Sequence, residues 1–119
     1  MRQPRTAAGK RLVAAQNAAL ERASQERGEQ LVWSEAEEAA LERAGLTVDR
    51  AEDLRRLLAS ELKAEDPNGN KVVKFSAEIR ALDRLVVQLL DRLAPDEVGP
   101  SKSKRHQRAA QARWHRAAN

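Results

Sequence analysis

The sequence predicts an all-α protein, and three observations carry that prediction. Alanine and leucine dominate its apolar residues, with one phenylalanine, Phe75, and no tyrosine. Helices pack closely on such residues, whereas sheets draw on aromatic and β-branched side chains. Capping signals precede apolar stretches: Ser34 stands three residues before Glu37, and Asp49 three before Glu52. Apolar residues also return at spacings of three and four along Ile79, Leu82, Val86, Leu89 and Leu93.

Each element follows in order. The first helix is expected to start after Pro4 and Thr6 and to run to about Arg27, with Gly28 as its stop. Leu12, Gln16, Ala19, Leu20 and Ala23 give it a stripe of mostly small residues. A second helix over 34–44 opens with the Ser34–Glu37 box, its acids suiting the positive end of the helix dipole, and is expected to end at Gly45. Leu31, Val32 and Trp33 precede it and can staple its first turns. A third helix over 49–63, opened by Asp49 and Glu52, carries Leu54, Leu57, Leu58 and Leu62 on one face. The segment EDPNGN reads as a turn and KVVKF as extended. Ser76 then caps the longest helix, 77–93, whose stripe is widened by Leu85 and Leu90 beyond what one partner helix needs. The two strongest helices are expected to lie antiparallel as a hairpin.

At 119 residues the chain is expected to be one domain with appendages. The organisation reads as a basic N-terminal helix or arm over 1–30, a helical body and hairpin over 31–94, and a Pro/Gly linker with a basic tail over 95–119. So small a body buries limited surface, so its helices are expected to draw on sister subunits. Net charge follows the same division: +4 over 1–27, −6 over 28–100 and +6 over 101–119. Cationic arms on an acidic body attract polyanions, nucleic acid first among them, and also acidic protein surfaces. The chain has no cysteine, which excludes disulfides and thiolate metal sites. Gln16 and Asn17 interrupt the N-terminal apolar stretch, and no run reaches a membrane span, so a soluble intracellular protein with no membrane partner is expected.

No catalytic constellation is visible. His106 and His115 sit nine residues apart in the tail with no acid near them, and Gly9–Lys10 lacks the rest of a phosphate-binding loop. The reading is therefore a non-enzyme without cofactor or metal. A helix-turn-helix over 34–63 has a suitable glycine turn, but its second helix opens with Asp49, Glu52 and Asp53 beside Arg50, Arg55 and Arg56. Acids there would repel phosphates, and two plain helices are the simpler reading. On a helical wheel, Lys102, Lys104, Arg105, Arg108, Arg113 and Arg116 fall on about half the tail's circumference. Ala110, Trp114, Ala117 and Ala118 lie opposite. Such a segment suits either a phosphate backbone or a partner's pocket for Trp114.

The order of GKRLVAAQ, LVWSEAEEAALERAGLTVDRAEDLRRLL, PNGNKVVKFSAEIRALDRLVVQLLDRL and RHQRAAQARW resembles the small terminase subunits of tailed double-stranded DNA phages, the actinobacterial phage and prophage type in particular. The similarity runs from about Gly9 to Trp114. The resemblance implies a helical, non-enzymatic protein that assembles as a homo-oligomeric ring in the cytoplasm of the infected host. It implies recognition of double-stranded viral DNA and recruitment or regulation of the large terminase subunit, which supplies the ATPase and nuclease. Leu54, Leu57, Leu58, Leu62, Ile79, Leu82, Leu85, Val86, Leu89, Leu90 and Leu93 would build the ring. Arg2, Arg5, Lys10 and Arg11, or the tail cations with Trp114, would meet DNA or the large subunit. Unlike many members of that family, the chain lacks a strongly basic recognition helix near its start. The rival readings are a small dimeric helix-turn-helix regulator and an interaction module that joins two proteins without DNA.

Overall fold

The computed structural model describes residues 1–93, which form three α-helices and no strand. The first, α1 (Ala7–Arg27), starts and stops on local signals. Thr6 Oγ1 accepts the Gly9 N–H at 3.0 Å. At the other end Gly28 takes a left-handed φ of 66°, where its N–H meets the Gln25 carbonyl and the Glu29 N–H meets the Ser24 carbonyl. That pair of bonds satisfies carbonyls the helix would otherwise leave bare, and glycine adopts the conformation without a Cβ clash.

The second helix, α2 (Glu35–Lys63), opens on the expected capping box: Ser34 Oγ accepts the Glu37 N–H at 3.1 Å, and Glu37 Oε1 accepts the Ser34 N–H at 3.0 Å. It then departs from expectation. It runs on through Gly45 to Lys63 as one 29-residue helix, so the segments read as 34–44 and 49–63 are continuous and no turn separates them. The third helix, α3 (Gly69–Leu90), also differs at its start. Asn68 caps it by accepting the Lys71 N–H at 3.1 Å, so KVVKF is helical and Ser76 is an interior residue. Val72 and Phe75 extend the Ile79–Leu82–Val86–Leu89 stripe backwards at the same spacing, which gives those turns an apolar face to pack. At its far end the chain tightens into a turn over 91–93, where Leu93 is buried at 2% exposure.

Both α1 and α3 pack on α2, each running opposite to it. The shared core joins Val13 of α1, Ala40, Leu41 and Ala44 of α2, Leu89 of α3 and Leu93 of the turn that follows it. A smaller cluster of Leu20, Ala23 and Leu31 closes the corner between α1 and α2, and Trp33 touches both clusters while its Nε1 donates to Asn17 Oδ1 at 2.9 Å. Because Thr6 lies beside Asp49, residues 50–63 run beyond α1 for about 20 Å at 1.5 Å per residue. Among the helices, only α3 accompanies them there. The result is a three-helix base from which a two-helix hairpin projects.

Candidate nucleic-acid interface

Gly45 and Asp49 acquire their roles from α1. A Cβ on Gly45 would lie 3.1 Å from Val13 Cγ2 and 3.3 Å from Pro4 Cγ, so glycine here permits close approach between helices. On the facing side, a Cβ on Gly9 would come within 2.6 Å of Asp49 Oδ1 and 2.7 Å of Pro4 Cβ. Asp49, expected to cap a helix of its own, instead holds the segment that leads into α1, including its cap residue Thr6. Its Oδ2 accepts the Arg5 N–H at 2.9 Å, and its Oδ1 accepts the Thr6 N–H at 3.1 Å and the Thr6 hydroxyl at 2.6 Å. Burial pushes this carboxyl up. The bonds from the Thr6 hydroxyl and from the Arg5 and Thr6 amides, together with the Arg5 charge, outweigh that and hold it below the ordinary value.

This anchor presents the N-terminal cations. Arg2, Arg5, Lys10 and Arg11 are all exposed. Arg5 also pairs with Asp53, which Arg56 approaches to 3.9 Å. Arg2, Lys10 and Arg11 make no ion pair among the described residues.

Two of the three cations that a helix-turn-helix would have aimed at a groove, Arg50 and Arg55, are turned onto α3. Arg50 donates to Glu78 Oε1 at 3.0 Å, and Arg55 donates to both oxygens of Asp83 at 2.8 and 2.6 Å and to Glu52 at 3.2 Å. The Asp83 bond leads the effects that raise the Arg55 pKa above its ordinary value. Residues 50 and 55 are about 140° apart on the helix, so the two pairs clasp the hairpin on different flanks. Sequence reasoning passed over Arg80 and Arg84, which stand four apart on the exposed face of α3 and make no ion pair among the described residues. Their position opposite the Ile79–Leu89 stripe was the signal that could have found them.

The residues assigned to assembly divide sharply. Leu54, Ile79, Leu89 and Leu93 are buried within this one chain. Leu58, Leu82, Leu85, Val86 and Leu90 are partly exposed. Leu57 and Leu62 stand exposed at 51% and 56%, and Val73 and Val87 join them at 66% and 60%. A shallow groove of about 340 Å³ runs along the α2–α3 seam, floored by Ala39, Leu46 and Leu82 and flanked by Arg43 and Arg50.

The cations Lys102, Lys104, Arg105, Arg108, Arg113 and Arg116, with Trp114, lie outside the described residues. Among the described residues no three His, Cys, Asp or Glu side chains gather as a metal site, and no helix is long and apolar enough to cross a membrane. No family model matches the chain, and neither does any curated protein or solved structure.

Proposed function

We propose that this chain is a non-enzymatic DNA-packaging adaptor of the small-terminase kind. In this reading it forms a homo-oligomeric ring in the host cytoplasm, holds phage genomic DNA and recruits the large terminase subunit. The observation that carries the reading is the projecting hairpin. It leaves Leu57, Leu62 and Val73 exposed where α1 no longer covers α2, a surface suited to a sister subunit. The exposed cations at the start of α1 supply the second requirement, weak contacts to phosphate. Each subunit contributes a few such contacts, and assembly multiplies them into useful affinity without new chemistry. Base sequence is not read by contacts of this type, because phosphates position a protein without specifying a site. The rival helix-turn-helix regulator loses its main support, since its turn is helical and Arg50 and Arg55 are engaged with α3.

Particle mass in solution tests the reading. Native mass spectrometry or sedimentation at micromolar concentration is expected to give a closed assembly larger than a dimer. A monomer or dimer would overturn the ring. Removing residues 101–119 then asks what the tail touches. If its six cations meet phosphates, the slope of log affinity against log salt flattens by about five per engaged subunit. An unchanged slope assigns the tail to the large subunit instead.

A further inference from the structure

Asp53 is the point at which a cation from the segment before α1 meets one from α2. A guanidinium nitrogen of Arg5 donates to its Oδ2, and one of Arg56 lies 3.9 Å from its Oδ1. The arrangement is open to solution, with side-chain exposures of 60% for Arg5, 42% for Asp53 and 69% for Arg56. Folding does not depend on it. The N-terminal arm is already fixed through three bonds to the buried Asp49, and ion pairs this exposed add little to stability. With the exposed Arg2, three residues upstream of Arg5, the cations of this corner outnumber the Asp53 and Asp49 carboxylates by one. Guanidinium groups converging on a single oxyanion are also the arrangement by which arginine holds phosphate.

We infer that Arg5 and Arg56 form a two-guanidinium site for one oxyanion of a polyanion, in which Asp53 is the resident competitor. Resting on the DNA-adaptor reading above, the oxyanion is a phosphate of duplex DNA. Arg5 arrives from the segment before α1 and Arg56 from the projecting part of α2, so a bound phosphate would lie where the hairpin leaves the base. Arg5 keeps its position when it exchanges partners, because its backbone N–H remains on Asp49. The arriving phosphate must displace the Asp53 carboxylate or tolerate it as a like charge. Either way Asp53 weakens each contact and keeps it reversible, which suits a protein that holds DNA through many subunits.

The test separates this local effect from net charge. Asp53→Asn and Glu29→Gln each remove one negative charge, and Glu29 is exposed away from this cluster. On a heparin column, with circular dichroism confirming the helical content of each variant, Asp53→Asn is expected to elute at higher salt than Glu29→Gln. Adding Arg5→Ala and Arg56→Ala to both backgrounds should abolish the difference. A second comparison avoids Asp53: Arg56→Ala should elute earlier than Arg84→Ala, although both remove one positive charge. Titration of duplex DNA should show the salt slope flattening by about one per engaged subunit when Arg5 and Arg56 are removed from the Asp53→Asn background. Co-elution in both heparin comparisons overturns the site. A heparin difference without duplex binding at any salt leaves the oxyanion site standing and removes DNA as its ligand.

Discussion

Asp49 is buried at 6% exposure, yet it is charged, because donors from a segment more than forty residues away surround it. Truncating it to alanine strands the Arg5 and Thr6 amides and the Thr6 hydroxyl. Hydrogen bonds to a charged group are worth about 1.5–3 kcal/mol, so Asp49→Ala is expected to lower unfolding stability by about 2–3 kcal/mol in a urea titration. The pH dependence has a definite sign. The folded carboxyl titrates below its unfolded value, so its contribution is fully present above the ordinary value of 3.8 and is lost as pH falls through the folded pKa. The stability gap between the wild type and Asp49→Asn should therefore be widest near neutral pH and narrow below about pH 4. A gap independent of pH would mean that the Asp49 charge does not contribute.

The glycines provide a graded test at the same scale. Alanine is favoured over glycine by about 1 kcal/mol in a helix interior, so an unconstrained site would gain on substitution. Gly9→Ala meets Asp49 Oδ1 at 2.6 Å and Pro4 Cβ at 2.7 Å, and forcing these apart should cost about 1–3 kcal/mol. Gly45→Ala is less crowded, with its nearest atom at 3.1 Å, and should come out near neutral as propensity and compression offset each other. Thermal melts of the two variants order them directly; Gly45 costing more than Gly9 would contradict the described crossing.

For the elements, the decisive feature is the continuity of α2. Proline at position 46 would remove the Leu46 N–H from an unbroken ladder and clash with the preceding turn, at a cost of about 3 kcal/mol or more. A chain with a real turn there would tolerate it. Leu46→Pro should therefore lower the melting temperature strongly, and a variant that melts like the wild type would restore two helices. The hairpin needs less from its ion pairs. Arg50, Glu78, Arg55 and Asp83 are all substantially exposed, so these bonds chiefly set how α3 lies against α2. Its stability comes from apolar burial along Leu54, Ile79 and Leu89, which is why the stripe rather than the charges marks the packed face.

At the scale of the molecule, burial is uneven among the described residues. The base is a three-helix body with a packed core, while each helix of the hairpin beyond α1 has a single partner helix, and Leu57, Leu62 and Val73 stay in solvent. On the proposed reading this is where sister subunits meet. Changing these three residues to serine together should reduce particle mass while leaving helical content intact, because none is part of the subunit core. An unchanged mass would move the contact elsewhere, with the groove between α2 and α3 the next surface to examine.

Much of this fold was legible residue by residue. Thr6, Ser34 and Gly28 act on backbone groups within a few positions of themselves, so their roles are written locally, and the apolar stripe of α3 needs only its own periodicity to be recognised. The exposed N-terminal cations were likewise visible, but the meeting of Arg5, Asp53 and Arg56 was not, since it joins positions 48 residues apart. Gly45 and Asp49 were misread for the same reason. A glycine followed by an aspartate spells a helix stop and a new start, but it equally spells a close crossing and an anchor for a distant segment. Local sequence carries no signal that separates those two alternatives. The tertiary structure decided between them because α1, once packed against α2, filled the space at Gly45 and brought three donors to Asp49.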